Sequence, residues 1–222
     1  MFYVLEPQIF LGEVVQVRFR HRDCRHCGTY AVGREGGITI RVRRARELAP
    51  IVWTCDRLAF TEYAIRVLSK AGLTGWEALP EEVTLLHRGI KREFPTYHEA
   101  LVTSKSISIL DSKGVQVEQC CAICGRTTYT PPREGIRVNP SDWDGSDIFG
   151  IRELPGNYLV TEKFAGVIRD RRFRQVELTP AEEWRDPWAW QEEDRTAKPG
   201  PETPEYTFDI VERFRGRQRK TC

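Results

Sequence analysis

Two stretches of the chain, one hundred residues apart, share the same order of apolar and polar positions. Phe60 to Leu68 reads F-T-E-Y-A-I-R-V-L, and Val160 to Ile168 reads V-T-E-K-F-A-G-V-I. In each, threonine and then glutamate follow an apolar run, which favours a helix start because threonine caps free N–H groups and glutamate meets the positive end of the helix. The next apolar residues keep the i, i+3, i+4 spacing of one buried helix face. They are Ala64, Val67, Leu68 and Ala71 in the first stretch and Phe164, Val167 and Ile168 in the second.

The correspondence continues beyond the two predicted helices. Gly72 is a suitable C-terminal stop for the first helix. A short alternating segment follows in each copy, Trp76 to Leu79 and Val176 to Leu178, and Pro80 or Pro180 is expected to end it because proline cannot donate to a strand ladder. Each half is therefore predicted to carry a strand-helix-strand unit, which indicates an internal duplication; chance similarity of two amphipathic helices is the alternative.

Alternating segments elsewhere predict further strands and hairpins. Ser106 to Leu110 alternates like a half-buried strand, and Asp111 to Gly114 reads as a hairpin turn into Val115 to Glu118. The segments Glu13 to Arg20 and Ile38 to Val42 show the same period of two in the first half. One hairpin in each half would then lead to a cysteine motif.

Four of the seven cysteines form two matching C-x-x-C-G motifs, Cys24 with Cys27 and Cys121 with Cys124. Zinc prefers four soft or borderline ligands in a tetrahedron, and such paired thiolates are typical of zinc knuckles. The glycine after each motif can adopt the positive φ that a tight turn often requires. An odd cysteine count argues against a disulfide framework. We therefore predict one structural Zn²⁺ ion, because four thiolates usually close the coordination shell and leave no position for a catalytic water.

Three alternatives for these cysteines stay open. His26 lies inside the first motif and Cys120 directly precedes the second, so either side chain could replace a ligand. A thioredoxin-like redox role for one C-x-x-C pair is the third. The presence of two copies favours the metal site.

These elements predict an α+β fold in which two pseudo-repeated strand-helix-strand units with β-hairpins are joined through a split zinc ribbon. Residues 1–198 would form one zinc-anchored unit, with pseudo-repeats at about 1–100 and 101–198. Residues 199–222 would form a basic C-terminal tail ending in an arginine-rich stretch, Arg213 to Lys220. We expect such a tail to be a solvated terminal segment without a partner; the alternative is a contact for nucleic acid or an acidic protein.

An acidic stretch allows a test for calcium. Asp142, Asp144, Ser146 and Glu153 fall on positions 1, 3, 5 and 12 of an EF-hand loop, but Asp147 occupies the position where glycine makes the sharp turn. We expect an Asx-turn loop here rather than a Ca²⁺ site.

The remaining nucleophile and base candidates indicate no enzyme. Cys55 is expected to be a small buried side chain and Cys222 a free terminal thiol. His21, His87 and His98 show no spacing that resembles a triad or a metal-binding helix.

Composition narrows the class of partner. The 222 residues carry 34 Lys and Arg against 32 Asp and Glu, so the net charge of +2 gives no field that would favour nucleic acid or a membrane surface. Neither an apolar run of membrane-spanning length nor a signal peptide is found, which predicts a cytoplasmic protein. The oligomeric state is left open.

Three segments stand out beside the paired knuckles: the start Phe2 to Pro7, the run N-P-S-D-W-D-G-S-D-I-F from Asn139 to Phe149, and L-P-G-N-Y-L-V-T-E from Leu154 to Glu162. Together with the knuckles, they resemble the double-CXXCG motif proteins of myxobacteria. That family includes immunity proteins of the Sit toxin system. The resemblance implies a protein that binds and neutralises a cognate toxin domain without catalysis, and only the four motif cysteines carry over as residues.

A zinc-ribbon nucleic-acid-binding or regulatory protein is the alternative function. Its support is the pair of knuckles and three arginine-rich segments, Arg41 to Arg46, Arg169 to Arg174 and Arg213 to Lys220. The balanced overall charge weighs against it.

Overall fold

The computed structural model describes residues 1–8, 13–24, 30–42, 48–54, 57–86 and 94–186. In these ranges the chain is mixed α+β, as expected, with mostly strands and two α-helices. The predicted boundary at residue 198 and the basic tail lie outside the described residues. The elements are β1 (Phe2–Pro7), β2 (Glu13–Asp23), β3 (Tyr30–Arg41), β4 (Ile51–Trp53), β5 (Leu58–Thr61), α1 (Glu62–Lys70), β6 (Trp76–Leu86), β7 (Tyr97–Val102), β8 (Val117–Cys120), β9 (Thr127–Tyr129), β10 (Ile148–Gly150), β11 (Tyr158–Thr161), α2 (Glu162–Asp170) and β12 (Val176–Pro180).

Both helices begin at the predicted threonines. The hydroxyl oxygen of Thr61 accepts a hydrogen bond from the backbone N–H of Ala64 at 3.2 Å, and that of Thr161 accepts from Phe164 at 3.3 Å. Each bond satisfies one N–H group that would otherwise lack an intrahelical partner. With nine residues each, neither helix in the described part of the chain is long or apolar enough to cross a membrane.

The helices also end alike. The N–H of Leu73 donates to the carbonyl of Leu68, and the N–H of Phe173 donates to that of Ile168. Before each of these residues the backbone turns through positive φ, at Gly72 in the first half and at Arg172 (φ 50°) in the second. Gly72 therefore stops its helix as predicted.

The helices pack against two main sheets. The smaller sheet has the order β10-β11-β1-β12 and the larger β2-β3-β6-β7-β5-β4. The first strand of the chain lies between the strands that flank α2, while β7 lies between the strands that flank α1. The registers correspond, since Phe2 is opposite Thr161 and Tyr97 is opposite Thr61.

One core is shared by both sheets and both helices. On β5 the side chains of Leu58 and Phe60 point into it, whereas Ala59 packs on the opposite face with Val52. This is the two-residue alternation of a strand that is buried on both faces. The fully buried members of the shared core are Leu5, Ile51, Leu58, Phe60, Ala64, Leu68, Ile148, Val160, Phe164 and Ala165.

A buried carboxylate joins the two halves. Asp147 is 6% exposed, and it accepts hydrogen bonds from the N–H of Thr74 at 3.0 Å and the hydroxyl of Thr161 at 2.9 Å. The ammonium group of Lys163 lies 3.2 Å from the same carboxylate and donates to the carbonyl of Gly72 at 2.7 Å. The end of α1 is thus bonded to the start of α2.

The prediction that Pro80 ends its strand is wrong. β6 runs through it to Leu86, with a register shift between Ala78, opposite Ala100, and Glu82, opposite His98. A bulge leaves residues out of the ladder, so Pro80 needs no N–H there. Pro180, in contrast, does end β12.

The predicted hairpin between Ser106–Leu110 and Val115–Glu118 is also wrong. Ile107 and Ile109 are buried, as the alternation indicates, but this segment makes only one isolated bridge, from Ile107 to Ile151. β8 pairs with β9 instead. The side chains therefore follow the period of two without a neighbouring strand that would extend the ladder.

Candidate metal centre

The second cysteine motif forms the turn of the hairpin β8–β9. The N–H of Cys121 donates to the carbonyl of Arg126 at 2.9 Å, and the N–H of Gly125 donates to the carbonyl of Cys121 at 2.8 Å. Gly125 has φ 71°, the positive value expected for the residue after the motif. The turn thus brings Cys121 and Cys124 to the same end of the hairpin.

The first motif begins where the long strand β2 ends. Cys24 directly follows that strand, and its sulfur lies 3.7 Å from the sulfur of Cys121, 97 residues later in the chain. The sulfurs of Cys24, Cys121 and Cys124 all lie within 4.8 Å of one another. Long-range folding therefore brings Cys24 to the second motif.

The 3.7 Å between the sulfurs of Cys24 and Cys121 suits a shared zinc ion. With Zn–S bonds of about 2.3 Å, a tetrahedron places neighbouring sulfurs about 3.8 Å apart. A disulfide would need an S–S distance of about 2.05 Å, and none of Cys24, Cys120, Cys121 and Cys124 forms a disulfide in the described part of the chain. Cys121 is only 3% exposed, Cys24 is half-buried and Cys124 is exposed. The cluster offers three converging soft donors, which could hold a metal ion.

Two of the residues considered in the sequence, Cys27 and His26, lie outside the described residues, so the fourth ligand stays a prediction. Cys120 is described and does not belong to the cluster. Its exposed sulfur accepts a hydrogen bond from the hydroxyl of Thr127 at 3.6 Å.

The acidic stretch after Asn139 has the contacts of an Asx-turn loop. Asp144 accepts from the N–H of Ser146 at 2.9 Å and from the N–H of Lys105 at 3.0 Å, and the latter bond is the main reason its pKa lies below the usual range. Glu153 is buried and accepts from Ser108 and Ile109, at 2.7 and 2.9 Å. The carboxylates of Asp144 and Glu153 thus both accept hydrogen bonds from groups of the protein, which fix the loop.

Of the other candidates, Cys55, Cys222, His21 and His87 have no described side chains. His98 is half-buried in β7, and its Nδ1 lies 3.3 Å from the carbonyl oxygen of Leu79. This contact holds the ring against the bulge of β6.

One feature was not predicted: a cleft of about 480 Å³ between the start of α1 and the turn that follows α2. The sequence shows its arginines as a run, but its apolar floor comes from distant segments. It is lined by Leu48, Ala49, Pro50, Tyr63, Arg171, Arg172, Phe173, Arg174 and Gln175.

Comparison with known proteins gives no assignment: no family model matches this chain, and no curated protein matches it.

Proposed function

We propose that this protein is a zinc-stabilised cytoplasmic immunity protein, which neutralises a cognate bacterial toxin domain by binding it. The observation that carries the proposal is the convergence of the sulfurs of Cys24, Cys121 and Cys124 from two distant parts of the chain. The family resemblance of these motifs, and of the segments at the N-terminus and around Asn139, supports the toxin as partner.

A structural zinc ion is the metal that suits this arrangement. Cys24, Cys27, Cys121 and Cys124 would hold it, and four thiolates would leave it without an open position. The ion would tie together residues that are 97 positions apart. Closing so long a loop costs the chain conformational entropy. An ion that binds only when the cysteines are brought together in the folded state therefore stabilises that state.

We further propose that the two halves arose by duplication and meet at this ion as a split zinc ribbon. In the described residues the order of five strands, one helix and one strand occurs twice, as β1–β5, α1, β6 and β7–β11, α2, β12. Ile51 pairs with Phe60 as Ile148 pairs with Val160. The first strand of each half completes the sheet of the other half, so neither sheet is complete in one half alone.

The decisive experiment is coexpression with the product of the adjacent gene, which this proposal predicts to be the toxin. We expect growth to be rescued and the two proteins to copurify at a fixed ratio. A double variant, Cys24→Ser with Cys121→Ser, should lose protection because the fold is destabilised, while Cys120→Ser should keep it. Rescue without copurification would contradict a stoichiometric mechanism, and absence of both would remove the proposal.

If the protein were a nucleic-acid binder instead, its affinity for DNA or RNA would fall steeply with salt. A gel shift at two salt concentrations therefore distinguishes the alternative, and we expect no shift at either.

A further inference from the structure

The cleft beside α1 combines positive charge with an apolar floor. Arg171, Arg172 and Arg174 line it and are exposed, and no acidic residue is among its described lining residues. Its apolar surface includes Tyr63, which is 48% exposed and lies with its ring centroid 5.9 Å from that of Phe173. A large half-exposed aromatic beside unneutralised arginines is the composition enriched at the centres of protein interfaces.

The three arginines have no ionic partner among the described residues, unlike Arg169, whose guanidinium lies 2.8 Å from the carboxylate of Glu162 and over the ring of Tyr3. Arg169, which precedes the cleft in the same basic segment, therefore makes its contacts within the protein. Within the described ranges, Arg171, Arg172 and Arg174 make no comparable ion pair.

The backbone of this turn is the second observation. Arg172 and Gln175 have φ values of 50° and 62°, and the corresponding residues of the first half are Gly72 and Gly75, at 63° and 94°. A side chain in this conformation destabilises the fold relative to glycine. In the first half, a Cβ at Gly75 would lie 2.2 Å from the carbonyl oxygen of Ile148, so glycine is required there. The second half has residues other than glycine in this unfavourable backbone conformation at both positions. Backbone strain of this kind is concentrated at functional sites.

We propose that this cleft binds an acidic segment of a protein partner, with glutamate or aspartate side chains paired to Arg171, Arg172 and Arg174 and an apolar side chain seated against Tyr63. Guanidinium groups bind carboxylates through paired hydrogen bonds. This inference deepens the proposed function, on which it rests for the identity of the partner as the toxin domain.

An acidic protein segment fits better than a nucleic acid. Base stacking on single strands needs exposed aromatic faces in series, and Phe173 is only 6% exposed. Tyr63 is then the one aromatic ring that this cleft, as described, leaves half-exposed. The apolar residues Leu48, Ala49 and Pro50 instead suit an aliphatic side chain.

The test uses the full chain and a short fluorescent peptide of alternating glutamate and leucine. We expect it to bind, and the triple variant Arg171→Gln, Arg172→Gln, Arg174→Gln should weaken binding at least about tenfold at low salt. A matched control replaces three other exposed arginines, Arg133, Arg137 and Arg152, by glutamine and should change affinity less than about twofold. A peptide with glutamine in place of glutamate should bind much more weakly.

The single variant Arg172→Gly separates a binding role from a structural one. Glycine suits the left-handed backbone, so the urea midpoint should rise, while peptide affinity should fall about threefold with the lost charge. A fall in both stability and affinity would indicate that Arg172 serves the fold. Equal affinity of both triple variants for the peptide, or tight binding of oligothymidine in place of the peptide, would overturn the proposal.

Outcomes for this inference and for the proposed function are distinguishable. If the adjacent toxin is neutralised but the cleft triple variant binds it as well as the original protein, the cleft is not the interface and the immunity function stands. If no toxin is neutralised but the acidic peptide binds in the cleft, the immunity function fails and the cleft remains an acidic-segment site.

Discussion

Replacing Asp147 by alanine tests the link between the two halves. The change removes the acceptor for the N–H of Thr74 at 3.0 Å and for the hydroxyl of Thr161 at 2.9 Å, at a position that is 6% exposed. A hydrogen bond to a charged group contributes about 1.5–3 kcal/mol. Lys163 is 53% exposed, so its ion pair adds less than about 1 kcal/mol.

Because such bonds are not additive and the buried carboxylate itself was costly to desolvate, we expect a net loss of about 3–4 kcal/mol in the free energy of unfolding. With a urea m-value of about 2 kcal/mol/M, the midpoint falls by about 1.5–2 M. The matched control is Asp170→Ala, an exposed carboxylate at the end of α2, which should change stability by less than about 0.5 kcal/mol. An Asp147→Ala loss below about 1 kcal/mol, measured by urea unfolding, would refute the role of Asp147 as the link.

Two further pairs of variants test the start of each helix and the turn that follows α1, by the same urea unfolding assay. Thr61→Ala should lose about 1 kcal/mol of stability through the missing N-cap. Thr161→Ala should lose more, because its hydroxyl donates to a buried carboxylate at 2.9 Å whereas that of Thr61 donates to the carbonyl of Pro50 at 3.4 Å; equal losses would contradict this difference. Gly75→Ala should prevent folding or lose more than about 3 kcal/mol, since its Cβ would lie 2.2 Å from the carbonyl oxygen of Ile148, whereas Gly72→Ala, with open space around it, should lose only about 1 kcal/mol. A mild effect at Gly75 would show that the backbone there can shift.

The helices were predictable because their signals are local. The N-cap, the first-turn glutamate and the apolar face of a helix all lie within about ten residues of one another, as from Thr61 to Leu68 in α1. Strand partners depend on distant segments, and nothing near Phe2 indicates that β1 lies between β11 and β12. Pro80 shows the limit of a local rule, because a bulge lets β6 continue past a residue that cannot join the ladder.

The candidate metal centre also has features that are local in sequence and features that depend on the whole fold. The C-x-x-C-G spacing of Cys121, Cys124 and Gly125 is local, and it predicts the positive φ of Gly125. The approach of Cys24 to Cys121 is a property of the whole fold. The same holds for the basic cleft, since its three arginines lie within four residues of one another in the sequence but its apolar floor comes from the distant segment around Pro50.

The most direct measurement of the central claim is the metal content and sulfur coordination of the purified full-length protein. Elemental analysis with X-ray absorption should give one zinc per chain and four Zn–S distances of about 2.3 Å. Cys121→Ser should lose the metal, whereas Cys120→Ser should retain it. Less than half a zinc per chain, a shell of oxygen or nitrogen ligands, or disulfides between the motif cysteines would contradict the account.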